Sequence, residues 1–416
     1  MGGPPAVLTI GRYPTESPTV LLALDGDDRP YVTALGLAGF DVLTMESIAE
    51  RLAEGLPPDL AVVDCDMATA PELYSDLHGV IPVPTLLIFQ DEPPAYATNG
   101  SSHAVRDEFA LKPLSAEALV YRLQALLIRY NRAVPTEAGE SDDAMGTEAM
   151  SIGAGHVVSV FAPKGGVGKT TIAVNLAVAL REQTRARICL LDADIGVGNV
   201  TSVLAMPYRM GLADLADTPA TGWTDAAFEQ IVSIHEPSGV EVITWGNDPA
   251  QSVHISVDLL LAAVRWAKAH YSWVVIDNHP SYDDRTMAML ATANEIFLVV
   301  TPEVGPIRNA AQFLEVARQV GIAGAVRVIV NRSNHGVSMS DIAAALGQPI
   351  SATIVSNGPH AVAAANEGKP IVTKFPTIRM SADLHGVARL LTQEIKSAAP
   401  SGRPWWATIA ARITSA

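Results

Sequence analysis

Ala162-Pro163-Lys164-Gly165-Gly166-Val167-Gly168-Lys169-Thr170-Thr171 is the stretch that decides the fold. It follows the apolar run Val157-Val158-Ser159-Val160-Phe161 and precedes Ile172-Ala173-Val174-Asn175-Leu176-Ala177-Val178-Ala179-Leu180. Strand, glycine loop and helix in that order form the context of a phosphate-binding loop. The glycines let successive backbone N–H groups turn toward one centre. A helix starting near Thr170 adds its positive N-terminal end. Lys169 can neutralise β- and γ-phosphates, and the Thr170 hydroxyl can ligate Mg2+. The expected phosphate cradle is Gly165, Gly166, Val167, Gly168, Lys169, Thr170 and Thr171.

Pro163 stands where the general G-x-x-x-x-G-K-[ST] pattern has its first glycine, and Lys164 adds a second lysine. With these features the loop resembles that of the ParA/MinD superfamily of P-loop ATPases, K-G-G-V-G-K-T-[TS]. The resemblance implies ATP and Mg2+ as cofactors. It also implies a homodimer formed on ATP binding, in which Lys164 reaches across to the partner's nucleotide.

Two later segments extend the resemblance. Ile188-Cys189-Leu190-Leu191 reads as a buried parallel strand and ends in Asp192-Ala193-Asp194-Ile195-Gly196-Val197-Gly198-Asn199. Carboxylates at a strand end lie beside the phosphate loop in doubly wound sheets. The segment resembles the MinD pattern D-x-D-I-G-x-x-N, which implies that Asp194 positions the attacking water and Asp192 supports Mg2+. Trp273-Val274-Val275-Ile276-Asp277 is a second apolar strand ending in an acid. Asp277 suits the Walker B task of holding Mg2+. The family continues D-x-P-P, and here His279 takes the place of the first proline, where it reads as a polar loop residue. Further on, Thr301-Pro302-Glu303 and Asn331-Arg332 close two more apolar runs. Both resemble segments that line the adenine. Asn331 offers a donor and an acceptor to a base edge, and Pro302 is expected to flank it. The resemblance covers roughly residues 155–395.

At 416 residues the length points to two or three domains. Hydrophobic residues are 49% and charged residues 17%, enough to furnish each with a core. No apolar run reaches membrane-span length, and Met1-Gly2-Gly3-Pro4-Pro5 lacks the features of a secretory signal. The two cysteines, Cys65 and Cys189, are placed inside strands of different domains as free thiols. This argues against iron-sulfur and zinc-bridged members of the superfamily, and the chain reads as cytoplasmic. The net charge of −16 and the scattered basic residues of the C-terminal segment argue against nucleic acid as a partner.

Residues 131–154 contain Pro135-Thr136-Glu137-Ala138-Gly139-Glu140-Ser141-Asp142-Asp143 and read as an acidic linker or docking segment. Before it, residues 18–130 follow a short extension, 1–17, and form a second α/β unit. Its strands are Thr19–Leu24, Phe40–Leu43, Asp59–Val63, Thr85–Phe89 and Glu108–Leu111, with helices near Arg29–Ala38 and Ala116–Tyr130. Five strands with intervening helices imply a flavodoxin-like sheet. The order resembles a response-regulator receiver. Asp64 falls at the phosphoacceptor position, Lys112-Pro113 at the lysine-proline corner and Asp25 at the first acid. Gly26 replaces the second acid, for which Asp27 could substitute, and Phe89 replaces the hydroxyl residue. A degenerate receiver and a phosphorylatable one both stay open. The expected fold class is thus α/β with two doubly wound domains, the nucleotide-binding one spanning 155–397.

A receiver-like domain, a linker and a MinD-like ATPase in one chain resemble the CpaE/TadZ family of Flp (Tad) pilus assembly. The resemblance implies pilus, secretion or polar-localisation proteins as partners. Rival readings are a division-site or chromosome-partition ATPase and a non-catalytic scaffold in which nucleotide only rigidifies the fold. In the tail, 398–416, Trp405, Ile409 and Ile413 share one helical face flanked by Arg403 and Arg412. Packing on the ATPase domain, peripheral contact with the inner face of the membrane, and a protein partner are the three readings of this tail.

Overall fold

The computed structural model describes residues 17–45, 58–79, 83–90, 94, 96, 107–129, 155–320 and 322–398. The extension before residue 17, the linker and the tail after 398 lie outside the described residues, as does much of the stretch 91–106.

The first sheet contains β1 (Thr19–Ala23), β2 (Asp41–Leu43), β3 (Leu60–Asp64), β4 (Thr85–Phe89) and β5 (Glu108–Leu111). All pairs are parallel, in the order β2-β1-β3-β4-β5. Parallel sheets are covered on both faces. Here α1 (Arg29–Leu37) and α3 (Ala116–Arg129) cover one face, and α2 (Ala70–Gly79) the other. Alternation along β1 shows why: Val20 and Leu22 enter the first core, Leu21 and Ala23 the second. Cys65 falls one residue beyond β3 and is partly buried, so it is not a strand residue; Cys189 is buried within a strand of the second sheet.

The second sheet has eight strands: β6 (His156–Phe161), β7 (Ile188–Ala193), β8 (Val232–His235), β9 (Val240–Ile243), β10 (Trp273–Asn278), β11 (Glu295–Val300), β12 (Val326–Asn331) and β13 (Ile350–Ile354). Their order is β13-β12-β11-β6-β10-β7-β9-β8, with only the β8/β9 pair antiparallel. One face is covered by α4 (Lys169–Thr184) and a long C-terminal helix, Arg379–Ala398. The other is covered by α5 (Asp225–Ile231), α6 (Val257–His270), α7 (Asp284–Thr292) and α8 (Val304–Gln319). Their caps are readable in the sequence: Ser256 accepts from the Leu259 N–H and Asp283 from the Thr286 N–H.

The two sheets are joined through α3, which has two apolar faces. Leu119, Val120, Leu123 and Leu126 fill the first core, while Ile128 belongs to the core beneath α6, α7 and α8. The Ile128 carbonyl, at the end of α3, accepts a hydrogen bond from the buried ammonium of Lys268 on α6. Arg122 on α3 donates to the Val320 carbonyl at 2.7 Å.

Candidate nucleotide site

In the large sheet the chain runs outward from β6 to β7, and from β10 it crosses back over β6 to β11. The winding therefore reverses at the centre, and doubly wound sheets bind ligands at the carboxyl ends beside such a reversal. The loop after β6, Asp192 and Asp194, Asp277, Pro302 and Asn331 all lie at those ends.

Gly166 and Gly168 have φ of 79° and 99°. Gly168 is the N-cap of α4 and no side chain caps that helix, so its first-turn amides remain available to an anion. A Cβ at position 168 would stand 2.4 Å from Nδ2 of Asn331. That amide donates to the Val167 carbonyl at 2.8 Å, and Oδ1 of Asn331 accepts the Arg332 N–H at 2.9 Å. Arg332 reaches the Gly166 carbonyl at 3.1 Å. Asn331 therefore braces the loop from behind, a role its reading as an adenine contact had not included. The Pro302 carbonyl accepts the Val337 N–H at 2.9 Å, which ties the two segments flanking the loop together.

Lys169 is buried at the start of α4, and burial holds its ammonium below the ordinary value against the pull of Asp277 and Asp194. Lys164 is exposed, its ammonium lying over Gly305 at the start of α8, with no ion-pair partner among the described residues.

Asp277 of β10 and Asp192 of β7 are register partners. Burial raises both carboxyls above the usual range, and each is a like charge near other acids of the site: Asp277 beside Asp192, and Asp194 beside Asp277. Asp192 accepts the Asp194 N–H at 3.1 Å and the Val200 N–H at 3.3 Å. Those bonds need close backbone approach, since a Cβ on Gly198 would meet Asp192 Oδ2 at 2.8 Å and the Trp245 ring nitrogen at 2.2 Å. Both Asp277 oxygens are buried without a hydrogen-bond partner, and the Thr170 hydroxyl and Lys169 ammonium lie close enough to lower its pKa. Unpartnered buried oxygens call for a cation. The oxygen donors Thr170, Asp192 and Asp277 fit Mg2+, a hard ion commonly held by one or two carboxylates plus phosphate oxygens. Among the described residues no group of three or more ligating side chains would hold a metal alone, and this mode needs none.

His279, read from sequence as a polar loop residue, has its Nδ1 2.5 Å from Oδ1 of Asp194. The signal was hidden because it depends on the β7/β10 pairing.

Asp64 lies apart from this site, buried at the end of β3. Lys112 donates to its two oxygens at 2.6 and 2.7 Å and to Asp66 at 2.8 Å. The Asp25 N–H donates to Asp64 at 3.2 Å. Asp27 instead accepts the Arg29 N–H at 3.2 Å at the start of α1, and Phe89 packs edge-on against Phe109.

The model of the ParA family, described as a NUBPL iron-transfer P-loop NTPase, matches residues 153–389. The septum site-determining protein MinD of Thermotoga maritima is 26% identical over 250 residues, 58% of this chain and 89% of its own length. A putative septum site-determining protein MinD of Emiliania huxleyi is 27% identical over 224 residues, 52% of this chain and 80% of its own. Among solved structures, MinD of Pyrococcus horikoshii, complexed with Mg-ADP, matches 57% of this chain and 95% of its own with a TM-score of 0.51 and 23% identity. This MinD homologue thus binds ADP with Mg2+. Over its C-terminal part, this chain belongs to the ParA/MinD family of P-loop NTPases.

Proposed function

We propose that this protein is an ATP-dependent, dimerising localisation switch that binds and slowly hydrolyses ATP and so positions or recruits a Flp/Tad pilus or secretion assembly. The observation that carries the switch is Lys164, exposed and without an ion-pair partner among the described residues, beside a cradle already supplied with Lys169. A second copy bringing its own Lys164 to the phosphates would make ATP the link between subunits. Thr170, Asp192 and Asp277 would hold Mg2+, whose chemistry is to neutralise charge on the β- and γ-phosphates. Asp194 would orient the attacking water, and Asn331 and Pro302 would flank the adenine. The iron-transfer description is not carried over, because Cys65, just past β3 of the first sheet, and Cys189, in β7 of the second, form no ligand pair.

The pilus role rests on the pairing of two α/β units, with 18–130 as a receiver-like domain and 155–397 as the ATPase. The 2-1-3-4-5 order of the first sheet supports the receiver reading. A cytoplasmic protein, peripheral at a membrane or a pole, is the matching location. Among the described residues no helix is long and apolar enough to cross a membrane. Division-site selection is the second reading, favoured by the septum-site names of the relatives.

Light scattering with ADP and with ATP tests the switch. A mass that doubles only with ATP, and stays that of the monomer in ATP-bound Lys164→Ala, is expected. Equal masses in both nucleotides would overturn it.

A further inference from the structure

We propose that His279 is a positioning residue that holds the Asp194 carboxylate in the orientation needed to align the attacking water; this rests on the ATPase reading above. The β7/β10 ladder pairs Asp277 with Asp192 and Asn278 with Ala193. One more step along both strands places His279 beside Asp194, so the contact continues the sheet register.

Both backbones are fixed at this point. The Asn278 side-chain amide donates to the Ser159 hydroxyl at 2.6 Å, and the His279 carbonyl accepts the Ser281 N–H at 3.0 Å. On the other strand the Asp194 carbonyl accepts the Gly198 N–H at 2.7 Å and the Val197 N–H at 3.2 Å. Two anchored residues then meet through their side chains, Nδ1 donating to Oδ1 at 2.5 Å. A carboxylate only accepts, so the tautomer or charge state carrying a proton on Nδ1 is the one that fits.

His279 is the one group hydrogen-bonded to the Asp194 carboxylate among the described residues. The bond occupies Oδ1 and sets the plane of the carboxylate, which leaves Oδ2 for water. Proline at this position, as in D-x-P-P, has no side-chain donor. The chain has thus added an orienting group to its water-positioning acid, much as partners beyond the immediate ligands orient reactive groups elsewhere.

The full-length protein tests this. His279→Ala should lower kcat about ten-fold while KM and ATP affinity change less than about two-fold. His279→Asn, which retains a donor, should recover most of the loss. In the Asp194→Ala background, His279→Ala should have no further effect on turnover, because the pair acts as a unit. A readout independent of turnover is the Nδ1–H resonance of His279 in histidine-labelled protein, expected in the wild type and lost in Asp194→Ala. Hydrolysis by the wild type with an unchanged kcat in His279→Ala, a loss confined to KM, or no recovery in His279→Asn would overturn the proposal alone. A wild type that binds ATP without hydrolysing it would overturn the ATPase reading and this proposal with it.

Discussion

Asp277 and Asp192 face each other across adjacent parallel strands, both buried, with neither oxygen of Asp277 hydrogen-bonded. Burial and the neighbouring acids raise both carboxyls, so keeping the pair charged costs stability, which a bound cation would offset.

Asp277→Asn should therefore stabilise the protein in EDTA while abolishing the stabilisation that Mg2+-ATP confers. Each kcal/mol regained corresponds to about 2–4 °C in Tm for a unit of this size. Thermal denaturation in EDTA and in Mg2+-ATP checks both halves. A lower Tm in EDTA would show that Asp277 is held by something other than a missing cation.

The contrast between these residues and His279 shows where sequence reading succeeds. The loop, Asp192, Asp194 and Asp277 were legible because each follows an apolar run within a few residues, and strand-end acids need only local pattern. The His279–Asp194 bond required knowing that β7 lies next to β10, which are separated by β8 and β9 in the chain. β8, β9 and β13 went unread because strands of only four or five residues carry weak alternation. Asn331 was singled out from sequence as an adenine contact, but its bond to the Val167 carbonyl could not be read there, since it depends on the close approach at Gly168. The second face of α3 was also hidden: Ile128 looks like any core residue until the helices of the P-loop NTPase unit are beside it.

His156 opens β6 and packs edge-on against Trp273 at 5.0 Å between ring centres. Burial, with Lys268 and Arg327 adding to it, lowers its pKa from 6.5 to about 4. Between those values the unfolded chain binds more protons than the folded one, so stability falls as pH drops from 6.5 toward about 4. His156→Gln should flatten that part of the profile. Urea midpoints measured across the window decide it; parallel profiles for wild type and variant would remove His156 as the cause.

Lys268 caps the C-terminal end of α3, whose last carbonyls have no partner within the helix. A cation there also opposes the helix dipole. Lys268→Met should keep most of the packing and lose the donor, at a cost of about 1–3 kcal/mol. The loss should appear as faster proteolysis of the N-terminal unit with ATP affinity retained. Unchanged proteolysis would mean that the Arg122–Val320 bond and the Ile128 contact hold the two units without it.

Acetyl phosphate with Mg2+ should leave Asp64 unmodified. Phosphoryl transfer to a carboxylate needs a cation held by neighbouring acids and a hydroxyl to receive the new group. Asp27 is turned to the start of α1, Phe89 is buried against Phe109, and Gly26 offers no acid. Lys112 bonds both oxygens of Asp64, and although burial lowers its pKa, Asp64 and Asp66 raise it above the ordinary value, so the ammonium stays charged at any working pH. The carboxylate is thus neutralised by a side chain in the place where a metal and phosphoryl group would act. Intact-mass measurement checks this. Stoichiometric modification lost in Asp64→Ala would instead make the N-terminal unit a phosphorylation switch, with α3 the element that carries its state to the helices of the P-loop NTPase unit.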